Sequence, residues 1–292
     1  MDMVKTLTSR IHSFPSLPAV VSKVLDVIAS ESSTMGDLTD VIKLDPPFST
    51  DILRLANSAF FGRLMEVSTL KQAVSVLGFN EIRNLVLSKA VFNNFKNLTK
   101  NSQFDIRNFW EHSFLCGLAG KIIAADLHKD PNECFMAGLI HDIGKLIFYL
   151  ELPEEFLKIV EAAEGSPFNT FKEEKKILGV THAQLGMMLL KKWMFPENLV
   201  SAVGFHHHPQ ERENKSVFPL IINVADLLVH HTSISNGEAV DSYFLKNIFY
   251  PEIVSLFKSQ GIDWNPEVFK NYIGELNKHK EAAGESISLL LS

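Results

Sequence analysis

The chain has 292 residues, 46% of them hydrophobic, enough to bury one large core or two smaller ones. A formal net charge of −6 gives no global attraction to nucleic acid or anionic lipid. Cys116 and Cys134 form no CxxC pair, which sets aside a disulfide framework and a thiolate zinc knuckle and fits a reducing compartment.

The first ten residues lack the apolar segment of a secretory signal, and the longest apolar stretch, Val217 to Val229, is too short to span a bilayer and contains Asp226. A cytoplasmic protein with soluble partners is expected, with no membrane and no direct nucleic-acid binding. Without sustained period-2 segments, the fold reads as all-α.

The first predicted helix follows Leu17-Pro18, with Val20, Val21, Val24, Leu25 and Ile28 at helical spacing and a break at Ser30 to Ser33. Asp45 is placed to cap the next, Pro46 and Pro47 suit its first turn, and the segment should stop at Gly62. Thr69 to Gln72 has the capping-box form, opening a helix that closes at Gly78. Asn80 is expected to cap another, with Ile82, Leu85, Val86 and Phe92 on one stripe, ending in the polar run Asn93 to Gln103. That run suggests two parts, an N-terminal helical subdomain over 1–98 and a second over 99–292.

Beyond it, Asn108 to Ala125, Asn132 to Leu150, Glu154 to Ala163 and Thr181 to Trp193 read as helices, and Thr181 to Gln184 is a second capping box. From Ser233 onward only helical packing can be assigned. Phe60, Phe61, Phe92, Phe95, Phe104, Phe109 and Trp110 are expected to fill the core between the two parts.

Distributed over these helices are His112, His141-Asp142, His182, His206-His207 and Asp226. Imidazole nitrogen and carboxylate oxygen together suit iron, manganese, nickel or zinc, so the set is read as ligands of one or two divalent ions. With two ions, Asp142 would bridge, His141 and Asp226 serving one and His182 with His206-His207 the other. Such a centre suits phosphoester hydrolysis. Asp142 and Lys145 are the candidate catalytic residues; Lys145, on the helix face of His141 and Asp142, would either hold a phosphate or pair with Asp142. An isolated histidine is more often a packed or surface residue. On that ground His12, His128 and His279 are read as surface residues, and His230 and His231 are left out for want of a partner. Of His206-His207-His208, the first two are favoured.

Leu17-Pro18, Asp45-Pro46, Arg54-Leu55-Ala56-Asn57-Ser58, Gln72-Ala73, Leu77-Gly78, Leu85-Val86, His141-Asp142-Ile143-Gly144-Lys145 and Asp226-Leu227 together resemble the HDOD module of bacterial signalling proteins, a relative of the HD phosphohydrolases. The likeness covers about Ile11 to His231. It implies an HD-like all-α fold of two packed helical parts and a signalling output or regulatory role with signalling proteins as partners. HDOD modules commonly lack the full ligand set, which this chain retains. The Gly-Tyr-Pro signature of HD-GYP cyclic-di-GMP phosphodiesterases is replaced here by Pro209-Gln210-Glu211-Arg212-Glu213. A regulatory module with a retained metal centre is the favoured expectation; the alternative is a metal-dependent phosphohydrolase acting on a nucleotide or cyclic dinucleotide.

Overall fold

In the computed structural model of the chain, the described residues are 9, 11, 14, 16–17, 19–30, 32–57, 67–95, 104–163, 167–212, 216–235 and 251–291. Every regular element among them is helical. The chain divides into two compact units, the first made of Pro15–Glu111 with Asn277–Ser292, the second of Met1–Phe14 with His112–Leu276.

The first unit holds α1 (Ala19–Ala29), α2 (Met35–Lys43), α3 (Pro46–Ala56), α4 (Leu70–Leu77) and α5 (Phe79–Phe95), which pack on one another. Their ends follow local chemistry. Thr34 and Asp37 form a capping box at α2, Asp45 accepts from Phe48 N at α3, and Thr69 and Gln72 form a capping box at α4. Gly78 ends α4 at φ 87°, a region glycine occupies without penalty.

Three expectations change here. The helix opened by Asp45 ends at Ala56, well before Gly62, which lies outside the described residues. The reason is Asn57, whose amide donates to Leu53 O and Val67 O while its Oδ1 accepts from Val67 N. Asn80 does not cap α5, because the glycine turn lets the helix begin one residue earlier, at Phe79. Nor does α5 carry a single apolar stripe: Glu81 to Phe92 are buried all round, including Arg83, Asn84 and Lys89. Lys89 pairs with Asp51 at 3.3 Å.

Of the aromatic set, Phe60 and Phe61 lie outside the described residues. Phe92, Phe104, Phe109 and Trp110 associate inside the first unit, Phe92 with Trp110 at 3.9 Å and Phe109 with Trp110 at 4.9 Å between ring centroids, and Phe95 is buried in α5.

The second unit begins within α6 (Ile106–Asp126), at His112. It continues with α7 (Pro131–Ile140), α8 (Ile143–Glu151), α9 (Pro153–Ala162), α10 (Pro167–Leu178), α11 (His182–Lys192), α12 (Glu197–Phe205), α13 (Phe218–Ser235), α14 (Pro251–Ser259) and the first part of α15 (Pro266–Leu291). The sequence patterns missed α10 and α12, as they missed α2 in the first unit, and gave α13 only as an apolar stretch. The single helix expected over Asn132 to Leu150 is broken, since His141 ends α7 and Asp142 precedes α8 without capping it.

Glycines set how closely these helices approach. A Cβ on Gly138 would stand 2.6 Å from the Cys116 carbonyl, and one on Gly144 would stand 1.9 Å from His182 O. So α6 meets α7, and α8 meets α11, backbone to backbone. Gly144→Ala is therefore expected to cost more than the roughly 1–3 kcal/mol of an overpacked core. Urea denaturation checks this, and an unchanged midpoint would refute the close approach.

Candidate metal centre

All seven expected ligands belong to the second unit, at helix ends or on inward faces. His112 comes from α6, His141 and Asp142 from the α7–α8 break, and His182 from the first turn of α11. His206 and His207 follow the end of α12, and Asp226 lies within α13. The structure brings them into two adjoining donor groups, Asp142, His182, His206 and His207 in one, His112, His141 and Asp226 with Cys116 in the other.

Asp142 stands between the groups. Its Oδ2 lies 3.4 Å from His141 Nε2 and 3.8 Å from His112 Nε2, while Oδ1 lies 3.1 Å from His182 Nε2 and 3.8 Å from His206 Nε2. In the Asp142 group, His182 Nε2 is 3.3 Å from His206 Nε2 and 3.0 Å from His207 Nε2. Across the other group, Asp226 Oδ1 is 3.1 Å from His112 Nε2 and 3.6 Å from His141 Nε2.

The outward nitrogens explain why the Nε2 atoms point inward as acceptors. His141 Nδ1–H donates to Gly138 O, His206 Nδ1–H to Val203 O, and His182 Nδ1–H to the Glu174 carboxylate. Each bond fixes the tautomer whose lone pair is on Nε2, the form a metal requires. The lone pairs of His182 and His206, 3.3 Å apart at Nε2, repel one another unless a positive charge lies between them. His141 Nε2 and Asp142 Oδ1 are buried and make no hydrogen bond among the described residues. Buried acceptors without donors are what a cation site presents, so the residues fit a divalent metal.

The charge balance agrees. Burial opposes ionisation of Asp142, yet His141, Lys145 and His182 outweigh it and hold the carboxyl well below its usual range. Asp226 is likewise held low against burial, by His230, His112 and His141. Burial also opposes charge on His141, but Asp142 and then Asp226 lift it to about 10. Burial with neighbouring imidazoles drives His112 down to about 4 and His206 to about 3.

Several participants were not read from the sequence. Glu174, from the missed α10, is fully buried against His182, accepting from both its ring and its backbone N–H. Cys116 stands beside His112 and Asp226. His230, set aside for want of a partner, has one, since its Nε2 is 3.1 Å from Asp226 Oδ1 and its ring stacks on His112. Helical spacing from Asp226 was the available signal for it. Lys145 pairs with Asp142 Oδ2. His231 lies near Phe269 instead, His128 and His279 are exposed, and His12 falls outside the described residues.

A family model described as the HDOD domain matches residues 14–209. A crystal structure of a candidate phosphohydrolase from Shewanella amazonensis SB2B aligns over 98% of both chains with a TM-score of 0.76 and 26% identity. An HDOD domain protein of unknown function from Geobacter sulfurreducens covers 98% of this chain at TM-score 0.78 and 20% identity, a likeness of fold alone. Among curated relatives, an uncharacterised protein of Treponema pallidum is 24% identical over 76% of this chain and 43% of its own length. Ribonuclease Y of Desulfotalea psychrophila is 31% identical over 50% of this chain and 22% of its own. The chain thus spans less than half the length of these curated relatives. No described helix is long and apolar enough to cross a membrane.

The pKa shifts fix a pH dependence. His141, raised to about 10, adds stability that is complete below its unfolded value of about 6.5 and is lost as pH climbs through 10. His112 and His206, lowered to about 4 and about 3, stay neutral in the fold while their unfolded counterparts take up protons, so stability drops as pH falls below about 6.5. Chelated protein is expected to be most stable near neutrality, and saturating divalent cation to flatten the alkaline limb because coordinated imidazole is neutral. Urea midpoints at about pH 5, 7 and 9 measure both limbs, and a flat profile in chelator would contradict the charge balance.

Proposed function

We propose that this chain, which belongs to the HDOD family, holds divalent transition-metal ions in its His/Asp cluster and uses them to hydrolyse a phosphoester of the nucleotide class. The observation that carries this reading is Asp142, a buried carboxylate with one oxygen toward each donor group and with Oδ1 unpartnered. An interaction module working only through its surface has no evident need of such a cluster, since burying charge, even in pairs, costs several kcal/mol per ion in desolvation.

One group would be held by His112, His141 and Asp226, with Asp142 Oδ2 turned toward it, and the other by Asp142 Oδ1, His182, His206 and His207, with iron, manganese, nickel or zinc as candidates. When bound, such ions supply Lewis-acid polarisation of a phosphoester and acidify water at neutral pH. The chain's own groups do the rest. Asp142 ties the two groups together, and Glu174 keeps His182 turned inward. Lys145 neutralises Asp142 from a partly exposed position, from which its ammonium can also take a phosphate oxygen. His207 closes the second group on a side that is not fully buried. The names of the Shewanella phosphohydrolase and of Ribonuclease Y support phosphoesters as the substrate class.

A second reading, a signalling output module acting through protein contacts, is favoured by the family match over residues 14–209. It is also favoured by a fold likeness to a candidate signal transduction protein from Marinobacter aquaeolei VT8, at TM-score 0.78 and 19% identity.

Elemental analysis of protein purified without chelators should find bound transition metal. A panel of nucleoside phosphates, a cyclic dinucleotide and an RNA oligonucleotide, assayed with each metal, should reveal metal-dependent turnover. His141→Ala and Asp142→Ala should reduce it at least about 100-fold, about 2.7 kcal/mol of activation free energy. Bound metal without turnover on any substrate would favour the second reading; absence of both would overturn the metal centre.

Removing Glu174 tests the support of His182 separately. Glu174→Ala should weaken cation binding by about 10–100-fold, whereas Glu173→Ala, in an i,i+3 pair with Lys176, should leave it unchanged. Competition against a chromophoric chelator reads both.

A further inference from the structure

The donor group around Asp226 contains a side chain that the hydrolytic reading does not use. We propose that Cys116 is a thiolate ligand in this group, making it a mixed nitrogen, oxygen and sulfur site selective for thiophilic cations such as zinc or cobalt over manganese. The inference deepens the metal-centre reading and rests on it.

Cys116 follows His112 by one helical turn, so the two side chains leave α6 on the same face. Its Sγ lies 3.5 Å from His112 Nε2 and 3.8 Å from Asp226 Oδ1. A tetrahedral ion with bonds of about 2.05 Å to nitrogen or oxygen and about 2.3 Å to sulfur requires edges of about 3.3 Å between the light donors and about 3.6 Å to sulfur. The light-donor separations here are 3.1 Å for His112 to Asp226 and 3.6 Å for His141 to Asp226. All four donor atoms lie within 4.8 Å of one another. Four of the six donor separations are thus close to what such an ion requires, and the other two lie within 4.8 Å.

Two further features point to a ligand there. His141 Nε2 is buried, aimed into the group and without a hydrogen bond among the described residues. Asp142 Oδ2, the competing carboxylate donor, is already engaged by the Lys145 ammonium at 2.5 Å, which leaves sulfur as the fourth corner. Cys116 is fully buried, so its thiol has no solvent to turn toward. On coordination the S–H bond gives its electron pair to the cation and its proton to the buffer. Soft sulfur then favours zinc or cobalt, whereas an all-nitrogen-and-oxygen group would accept manganese as well. Cys134, the other buried cysteine, belongs to neither donor group.

The test is to titrate reduced, chelator-stripped full-length protein with cobalt(II) alone and record its absorption. An intense near-ultraviolet thiolate-to-cobalt charge-transfer band is expected beside the weak visible bands, lost in Cys116→Ser and kept in Cys134→Ser. Zinc affinity should fall in Cys116→Ser by at least about 10–100-fold, with manganese affinity nearly unchanged. Visible cobalt bands without the charge-transfer band in the unmutated protein would overturn the thiolate while leaving the metal centre standing. So would a band that vanishes with Cys134 instead. No cobalt absorption at all would overturn both. The unmutated protein decides the first point, so the outcome does not depend on either variant folding.

Discussion

Asp142 and Asp226 carry their carboxylates into an interior where the surrounding polar groups are almost all imidazoles. A lone carboxylate moved there would lose several kcal/mol of hydration, so positive charge must accompany it. The protein supplies part of that charge itself, through Lys145 and, until a cation takes its place, through the proton that His141 holds. It does not supply all of it: His112, His206 and His207 are driven toward neutrality by burial and by one another, so they present lone pairs instead of protons. A divalent cation meets both demands at once, balancing the carboxylates and accepting the lone pairs.

Holding this arrangement falls to the helix backbones. The chain stops α7 at His141 and restarts α8 after Asp142, and the break directs two adjacent residues at one centre when a continuous helix would turn them about 100° apart. Gly144 then lets α8 lie against the start of α11, bringing His182 to Asp142, and Gly138 lets α7 lie against α6, bringing His112 and Cys116 to His141. Asn223 fixes the end of α12 by donating to His206 O at 2.7 Å. Main-chain contacts of this kind place ligands more firmly than side-chain packing, because no rotamer can relax them.

The parts of the chain legible in sequence were those governed by local chemistry. Thr69-Gln72 and Thr181-Gln184 announced their helices because a capping box is complete within four residues. The ligand residues stood out because imidazoles and carboxylates are costly to bury without purpose. What stayed hidden depends on distant contacts. Glu174 reads as one charge among several in a lysine-rich helix, and only the fold shows that it supports His182. Asn57 ends α3 through a bond to Val67, ten residues away. Cys116 was passed over because a CxxC search asks for neighbouring thiols, whereas its relevant neighbours are a histidine one turn earlier and an aspartate 110 residues later.

Exposure divides the centre into a floor and a rim. His141, His182, His206 and Glu174 are almost completely buried, whereas the side chains of His112 and Lys145 are each 17% exposed and that of His230 is 16%. Phe171 stands beside His207 and His208 at 4.7 and 4.9 Å between ring centroids, giving the Asp142 group an aromatic flank. In the proposed reading a substrate would meet the centre at His112, His230 and Lys145, with cationic and imidazole groups at the approach and Asp142 beneath them. That order suits an anionic ligand, since the ammonium and the aromatic flank can hold a phosphate and its attached group while the buried ligands stay fixed. A neutral ligand would gain nothing from Lys145, so the rim, like the floor, is consistent with the proposed phosphoester class.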